Sequence, residues 1–277
     1  EVQDFLEGRA MINRLRSQLH LLGGRKSDQL YFEHQADLAE LFGYKSEDGI
    51  LGVERFMRDV YGALRTVSII TDLFFDHVDE VLGLAGKRQV VGDKVIEKGI
   101  EIKTGRVHLT IGRSQLLAKP LMLIRVFLAM SRTGLPMHHR TRKLVSSSLD
   151  LITDKMRTST RTSKTFFVLL IEAKDLFAVL ETMMETGVLA AYIPEFSRID
   201  TLAQHDLYHI YTVDRHSLQA VEELHQLVKQ WGNVVHNVKR LHVLYLAALL
   251  HDIGKGSGRD HSLEGEEVPV QIGRRFG

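Results

Sequence analysis

A chain of 277 residues is long enough for one large helical domain or two modest ones, each with its own core. Its 36 lysines and arginines against 35 aspartates and glutamates leave a formal charge of +1, so no basic field points to nucleic acid and no acidic excess to a solvating tail. Cysteine is absent, which excludes disulfides, thiolate nucleophiles and cysteine zinc sites and fits a reducing compartment, while only four prolines leave room for long helices.

The opening stretch places Phe5, Leu6, Met11, Ile12, Leu15 and Leu19 at helical spacings and predicts an amphipathic helix ending near Gly23–Gly24. Residues 30–42, closed by Gly43, predict a second helix. A third runs from about Gly52 to Val81 through Phe56, Met57, Val60, Leu64, Val67, Ile70, Leu73 and Phe74. Between Gly83 and Gly112 the pattern changes to short period-two pieces broken by glycines, an antiparallel excursion with a turn at Lys103–Gly105 that is too small to stand alone.

Helical periodicity resumes at Pro120 and continues to Gly187. Its one local charge bias, Arg132 to Lys143 with Arg157, Arg161 and Lys164, reads as a solvated helical face, since no aromatic interleaving supports a stacking platform. Pro194 marks a non-helical entry, and helices are expected near 213–230 and 236–251. These features predict a mainly α fold: a helical region with a small β excursion at about 88–112, spanning 1–187, followed by a second helical domain at 188–277.

No run approaches the roughly 18 apolar residues of a membrane span; Leu244–Leu250 is too short. The first residues lack the basic start, apolar centre and cleavage site of a signal peptide. They begin without Met, and VPVQIGRRFG stops as another helix begins, so the chain is expected to be an internal fragment.

The strongest chemical signal is LLHDIGKG, residues 249–256. An apolar helix delivers His251 and Asp252 at its end, and an aspartate in an apolar stripe is costly unless a metal or hydrogen bonds satisfy it. Imidazole and carboxylate together suit Zn, Mn, Fe, Co or, less well, Mg. The pair needs partners. His216 lies at the start of the preceding helix and meets His251 only if it faces inward with Ala220 and Leu224, near Leu227.

His261, in a glycine-rich loop, is placed to serve a second ion or a phosphate. Lys255, and with less support Arg259, is placed to meet a phosphate oxygen, the alternative being a solvated side chain. His205, Asp206 and His209 read as outer hydrogen-bonding partners of ligand imidazoles, with capping the rival reading, and Asp214 is placed to cap a helix start. His225, His236 and His242 read as helix-surface or core-edge residues. His77, His108, His138 and His139 are assigned nothing.

Neither a GxxxxGKS nor a GxGxxG phosphate loop occurs, GRSQLL (112–117) lacks the paired acidic residues of a nucleotidyltransferase, and no serine nucleophile motif is present.

HDIGKG after a distant upstream histidine resembles the HD-domain metal-dependent phosphohydrolases. GVLAAYIPEFSRI, QHDLYHIYTVDRHS and LAALLHDIGKGSGRDHSLEG narrow the resemblance to the bifunctional uridylyltransferase/uridylyl-removing enzymes of the PII nitrogen-regulatory protein. RLRSQLHLLGGRKSDQLYFEHQADLAELFGY and VERFMRDVYGALRTVS are similar to the helical region between that family's catalytic domains. The likeness covers nearly the whole chain and is weakest over 83–119.

The resemblance implies a helical linking domain followed by the start of an HD-type domain, without the transferase motif or the C-terminal ACT domains through which glutamine acts. It makes His216, His251, Asp252 and His261 metal ligands and gives Lys255, Asp252 and His261 catalytic parts. A last aspartate ligand is then expected beyond residue 277. Arg215 stands where relatives commonly carry an acidic residue, which would move charge beside the metal.

The implied reaction is divalent-metal hydrolysis of a UMP–tyrosine phosphodiester, with Mn or Mg first and Zn or Fe as alternatives. The implied partner is the PII protein, with no nucleic acid and no membrane, in the cytoplasm. A generic HD nucleotide phosphohydrolase and a non-catalytic regulatory scaffold are the competing readings.

Overall fold

The computed structural model describes residues 2–84, 92–205, 211–232, 238–256 and 261–277, with the backbone alone for Gly256 and for 261–266. The first three helices, α1 (Val2–Gly23), α2 (Phe32–Leu41) and α3 (Gly52–Val81), stand where the periodicity predicts them. At the start of α3, the Leu51 amide donates to the Glu54 carboxylate at 3.1 Å and the Gly52 amide to the Ser46 hydroxyl at 3.0 Å. Two amides that a helix start leaves without intrahelical partners are thereby satisfied.

The three helices enclose a core of Leu15, Leu19, Leu38, Ala39, Phe56, Met57 and Val60. A Cβ on Gly8 of α1 would stand 3.0 Å from Val67 and 3.2 Å from the Ala63 carbonyl of α3, so this close approach calls for a residue without a side chain. Only the first half of α3 supplies buried side chains. Phe74, predicted to lie in the apolar stripe, is 59% exposed.

The β excursion is a three-stranded antiparallel meander of β1 (Lys94–Glu97), β2 (Ile100–Lys103) and β3 (Arg106–Leu109). Lys103 pairs with Arg106 across the turn residues Thr104 and Gly105, both at positive φ (49° and 70°), the backbone that a tight two-residue hairpin requires. Alternation turns Ile100, Ile102 and Val107 inward. The Val107 amide donates to the Pro136 carbonyl and the His138 amide to the Val107 carbonyl, which fastens β3 to the segment leading into the following helices.

Those helices are α4 (Arg113–Ala118), α5 (Met122–Thr133), α6 (His139–Ser146), α7 (Asp154–Arg157), α8 (Thr160–Glu172), α9 (Leu176–Glu185) and α10 (Val188–Tyr192). The stretch predicted as continuously helical is therefore broken into short rods, and α5, with Met122–Met130 all buried except the half-exposed Arg125, is its centre. Pro194 opens a 3₁₀ turn, Pro194–Arg198. Then come α11 (Val213–Gln230), α12 (Leu241–Leu250), a 3₁₀ turn at Ile253–Gly256 and α13 (His261–Phe276).

One apolar cluster runs from Ile100 to Phe276, so the closing residues belong to the body of the fold. The ring of Phe276 stands 5.1 Å from Tyr192 and 6.0 Å from Phe166, and Arg275 grips Glu195 with two hydrogen bonds of 2.8 and 2.9 Å. The two cores meet through arginine. Arg65 of α3 holds Asp200 at 2.7 and 2.8 Å and reaches Asp214 of α11 at 3.2 Å, while Arg58 donates to the carbonyls of Ser197 and Asp200.

Candidate functional site

Two helices bring the histidines together. His216 stands in the first turn of α11, and His251 follows the last residue of α12. His225 further along α11 meets Tyr245 in the middle of α12 at 2.7 Å, so the helices run in opposite senses and the start of one lies beside the end of the other. Asp252 and the 3₁₀ turn then carry Lys255 back over the same point, three residues on.

The nitrogens His216 Nε2 and His251 Nε2 are 3.3 Å apart, and Asp252 Oδ2 lies 3.4 Å from His251 Nε2 and 3.7 Å from His216 Nε2. His251 Nδ1 donates to the Ala248 carbonyl at 2.8 Å, so in the neutral ring the lone pair is on Nε2, facing the cluster. Lys255 Nζ donates to Asp252 Oδ2 at 2.8 Å and to Gln204 Oε1 at 2.9 Å.

Burial alone would raise the pKa of Asp252, but hydrogen bonds from His251 and Lys255 outweigh it and hold the carboxyl well below the usual carboxylate range. The same contact with Asp252 raises His251 above the ordinary imidazole value, against the opposing effect of burial.

The donor set fits a divalent ion. Ligand atoms bound at roughly 2.0–2.2 Å around one centre stand roughly 3.0–3.6 Å from one another, close to the three separations here. His216, His251 and Asp252 offer ligand atoms within 4.8 Å of one another. Two imidazoles and a carboxylate accept divalent ions generally, without choosing among them.

Of the residues the sequence singles out, His216, His251, Asp252 and Lys255 are brought together. The His261 side chain, Arg259, Asp206, His209 and His236 lie outside the described residues. His205 engages the first three helices instead of the ligand imidazoles: its ring stacks on Phe32 of α2 at 4.1 Å and its amide donates to Glu54 of α3.

The inward face of α11 also differs from the expected one. Val213, Asp214, Ser217, Leu218, Val221 and His225 are buried, whereas Leu227 is 53% exposed and His216 sits at the margin. Asp214 is not the cap of α11: the N-cap is Thr212, and Asp214 lies inside the first turn. It accepts from the Thr201 and Arg215 amides and from Arg65. Arg215 donates to Glu181 of α9 at 2.6 Å, with its guanidinium over the Phe177 ring. His225, expected at the helix surface or the core edge, is 1% exposed, while His242 lies at the core edge against Phe167.

Gln204 carries no sequence signal, because nothing in its neighbourhood marks it as the partner of a lysine 51 positions away. The basic stretch is largely paired, Arg132 with Glu172, Arg142 with Glu185 and Arg157 with Asp154. A cleft of about 1010 Å³ between the β1–β2 turn and α7–α8 carries several cations but no ligand set, and its Arg125 is committed to Glu97. The ligand-bearing cluster that the sequence singles out lies at the α11–α12 end.

Three family models match in succession: GlnD PII-uridylyltransferase over residues 1–75, uridylyltransferase GlnD third domain over 106–192, and HD domain over 213–277. A bifunctional uridylyltransferase/uridylyl-removing enzyme of Rhodospirillum rubrum is 33% identical over 290 aligned residues, covering 99% of this chain and 30% of that protein. Its counterparts in Ruegeria pomeroyi and Pseudomonas aeruginosa are each 33% identical, over 100% and 90% of this chain and 32% and 28% of theirs. No solved structure matches. With three models in one order along the chain and alignments that take in nine-tenths of it or more, the chain belongs to the bifunctional uridylyltransferase/uridylyl-removing enzymes, of whose length it spans about a third.

Proposed function

We propose that the α11–α12 site hydrolyses the phosphodiester between UMP and a tyrosine of the PII protein. In this reading residues 188–277 belong to the uridylyl-removing part of the enzyme, and residues 1–187 are the helical region that links it to the transferring part named in the relatives. The observation that carries it is the convergence of His216, His251 and Asp252 on one point with Lys255 beside them.

His216, His251 and Asp252 would hold the ion. Mn²⁺ or Mg²⁺ is preferred to Zn²⁺ or Fe²⁺ because a phosphoryl substrate adds hard oxygen ligands to the set. When bound, it supplies Lewis-acid polarisation of the phosphoryl group and a more acidic attacking water. Lys255, steadied by Gln204, places an ammonium where charge builds on the nonbridging phosphoryl oxygens. Asp252, kept ionised, orients the water. The tyrosine oxygen, with a phenol pKa of about 10, leaves without a strong general acid. A cytoplasmic setting goes with this reading; among the described residues no helix is long and apolar enough to cross a membrane.

The test is UMP release from uridylylated PII in Mn²⁺, with Mn²⁺ binding followed by electron paramagnetic resonance. Release is expected to fall about a thousandfold in H251A/D252A, matching the several kcal/mol that Lewis-acid stabilisation supplies. Undiminished release in that variant, or Mn²⁺ binding without any release, would overturn the reading.

A further inference from the structure

A second set of metal-ligating side chains lies in different elements. His77 and Glu80 stand one turn apart near the end of α3, and His139 is the first residue of α6; each offers a ligand atom within 4.8 Å of the others. His139 Nε2 is 3.4 Å and His77 Nδ1 3.9 Å from Glu80 Oε2, and the two rings meet edge to face with centroids 5.4 Å apart.

We propose that His77, Glu80 and His139 form a second divalent-metal site, of the imidazole-rich class that takes Zn²⁺ or a similar borderline ion, which clamps the end of α3 to α6.

The surroundings hold the three residues in place. Asp76, next to His77, is bound by Arg106 of β3 with two hydrogen bonds of 2.7 and 3.1 Å, in a pair that is 14% and 22% exposed. The backbone before His139 is fastened to β3 through the His138 amide and the Val107 carbonyl. The His138 ring lies between those of His108 and His139, each 4.2 Å away. Ligands on elements that are already joined lose little freedom when an ion binds.

The His138 ring packs against His139 beside this arrangement. Its Nδ1 accepts from the Arg140 amide at 3.3 Å, which in the neutral ring puts the proton on Nε2, 3.6 Å from Glu80 Oε2.

The Arg140 guanidinium, 3.6 Å from Glu80, is the present counter-charge; it is 71% exposed and free to swing into solvent when a cation replaces it. Two imidazoles and one carboxylate, with Glu80 39% and His77 52% exposed, leave room for water to complete a tetrahedral set. Imidazole nitrogens favour zinc, copper or nickel over magnesium or calcium.

The experiment is a zinc titration against a chromophoric chelator, on the whole chain with the α11–α12 site removed as H216A/H251A/D252A. One zinc per chain is expected to remain, and adding His77→Gln and Glu80→Gln is expected to weaken it about 100-fold or more, since losing even an outer partner of a metal ligand costs about 10–100-fold. Both side chains are solvent-facing, so these variants fold. Cobalt absorption should report nitrogen ligation in the parent and lose it in the H77Q/E80Q variant. No bound zinc in the first variant, or zinc bound equally tightly after both glutamine substitutions, would overturn the proposal.

Discussion

Both ring nitrogens of His225 are committed. Nε2 donates to the Ala173 carbonyl at 2.7 Å, so in the neutral ring Nδ1 accepts from the Tyr245 hydroxyl at 2.7 Å. Burial holds its pKa below the ordinary imidazole value and pushes Tyr245 up to about 12. With the folded pKa depressed, the unfolded chain takes up the proton first as pH falls. Stability is therefore whole above about 6.5 and is lost as pH drops below it. Urea midpoints should fall between about pH 7.5 and 5.5, and less in His225→Ala, because one buried imidazole no longer titrates; an equal fall would refute this. At neutral pH the same substitution should cost roughly 2–3 kcal/mol, from the lost packing and the unpaired groups.

At the scale of elements, the chain turns from α9 into α10 on Gly187 at φ 78°, and a Cβ there would stand 2.8 Å from the Leu149 side chain. Backbone strain and crowding act together. Gly187→Ala is expected to lower unfolding free energy by about 1–3 kcal/mol, read as a lower denaturant midpoint with an unchanged slope. The turn after α12 works differently: a 3₁₀ step of three residues per turn puts Lys255 directly over Asp252, which an α-helical continuation would offset.

Across the whole molecule, the Arg65–Asp200–Asp214 cluster is the polar seam between the two apolar cores. Asp214 is 1% exposed, and removing its cationic partner leaves a buried charge. Arg65 itself is 26% exposed, which lets water soften the loss. Arg65→Ala should cost about 3 kcal/mol in urea unfolding, and Arg65→Lys should recover less than half, because an ammonium cannot form the two parallel bonds that the guanidinium makes to Asp200. Full recovery by lysine would show that charge alone holds the seam.

Local physics made much of this legible in advance. The spacing of Phe56, Met57 and Val60 marks a helix because 3.6-residue periodicity needs only near neighbours, and Ile100 alternating with Glu101 marks a strand for the same reason. The His251–Asp252 pair at the end of an apolar helix marks chemistry because an unpartnered carboxylate is costly there. Which histidines meet was another matter. His225 and His216 lie on the same helix, yet one is sealed in the core and the other faces the candidate metal centre, since the inward stripe is set by what α11 packs against. Gln204 under Lys255, and Glu80 beside His139, are pairings across long stretches of chain. Such distances depend on how helices settle against one another, and only the packed tertiary structure decides them.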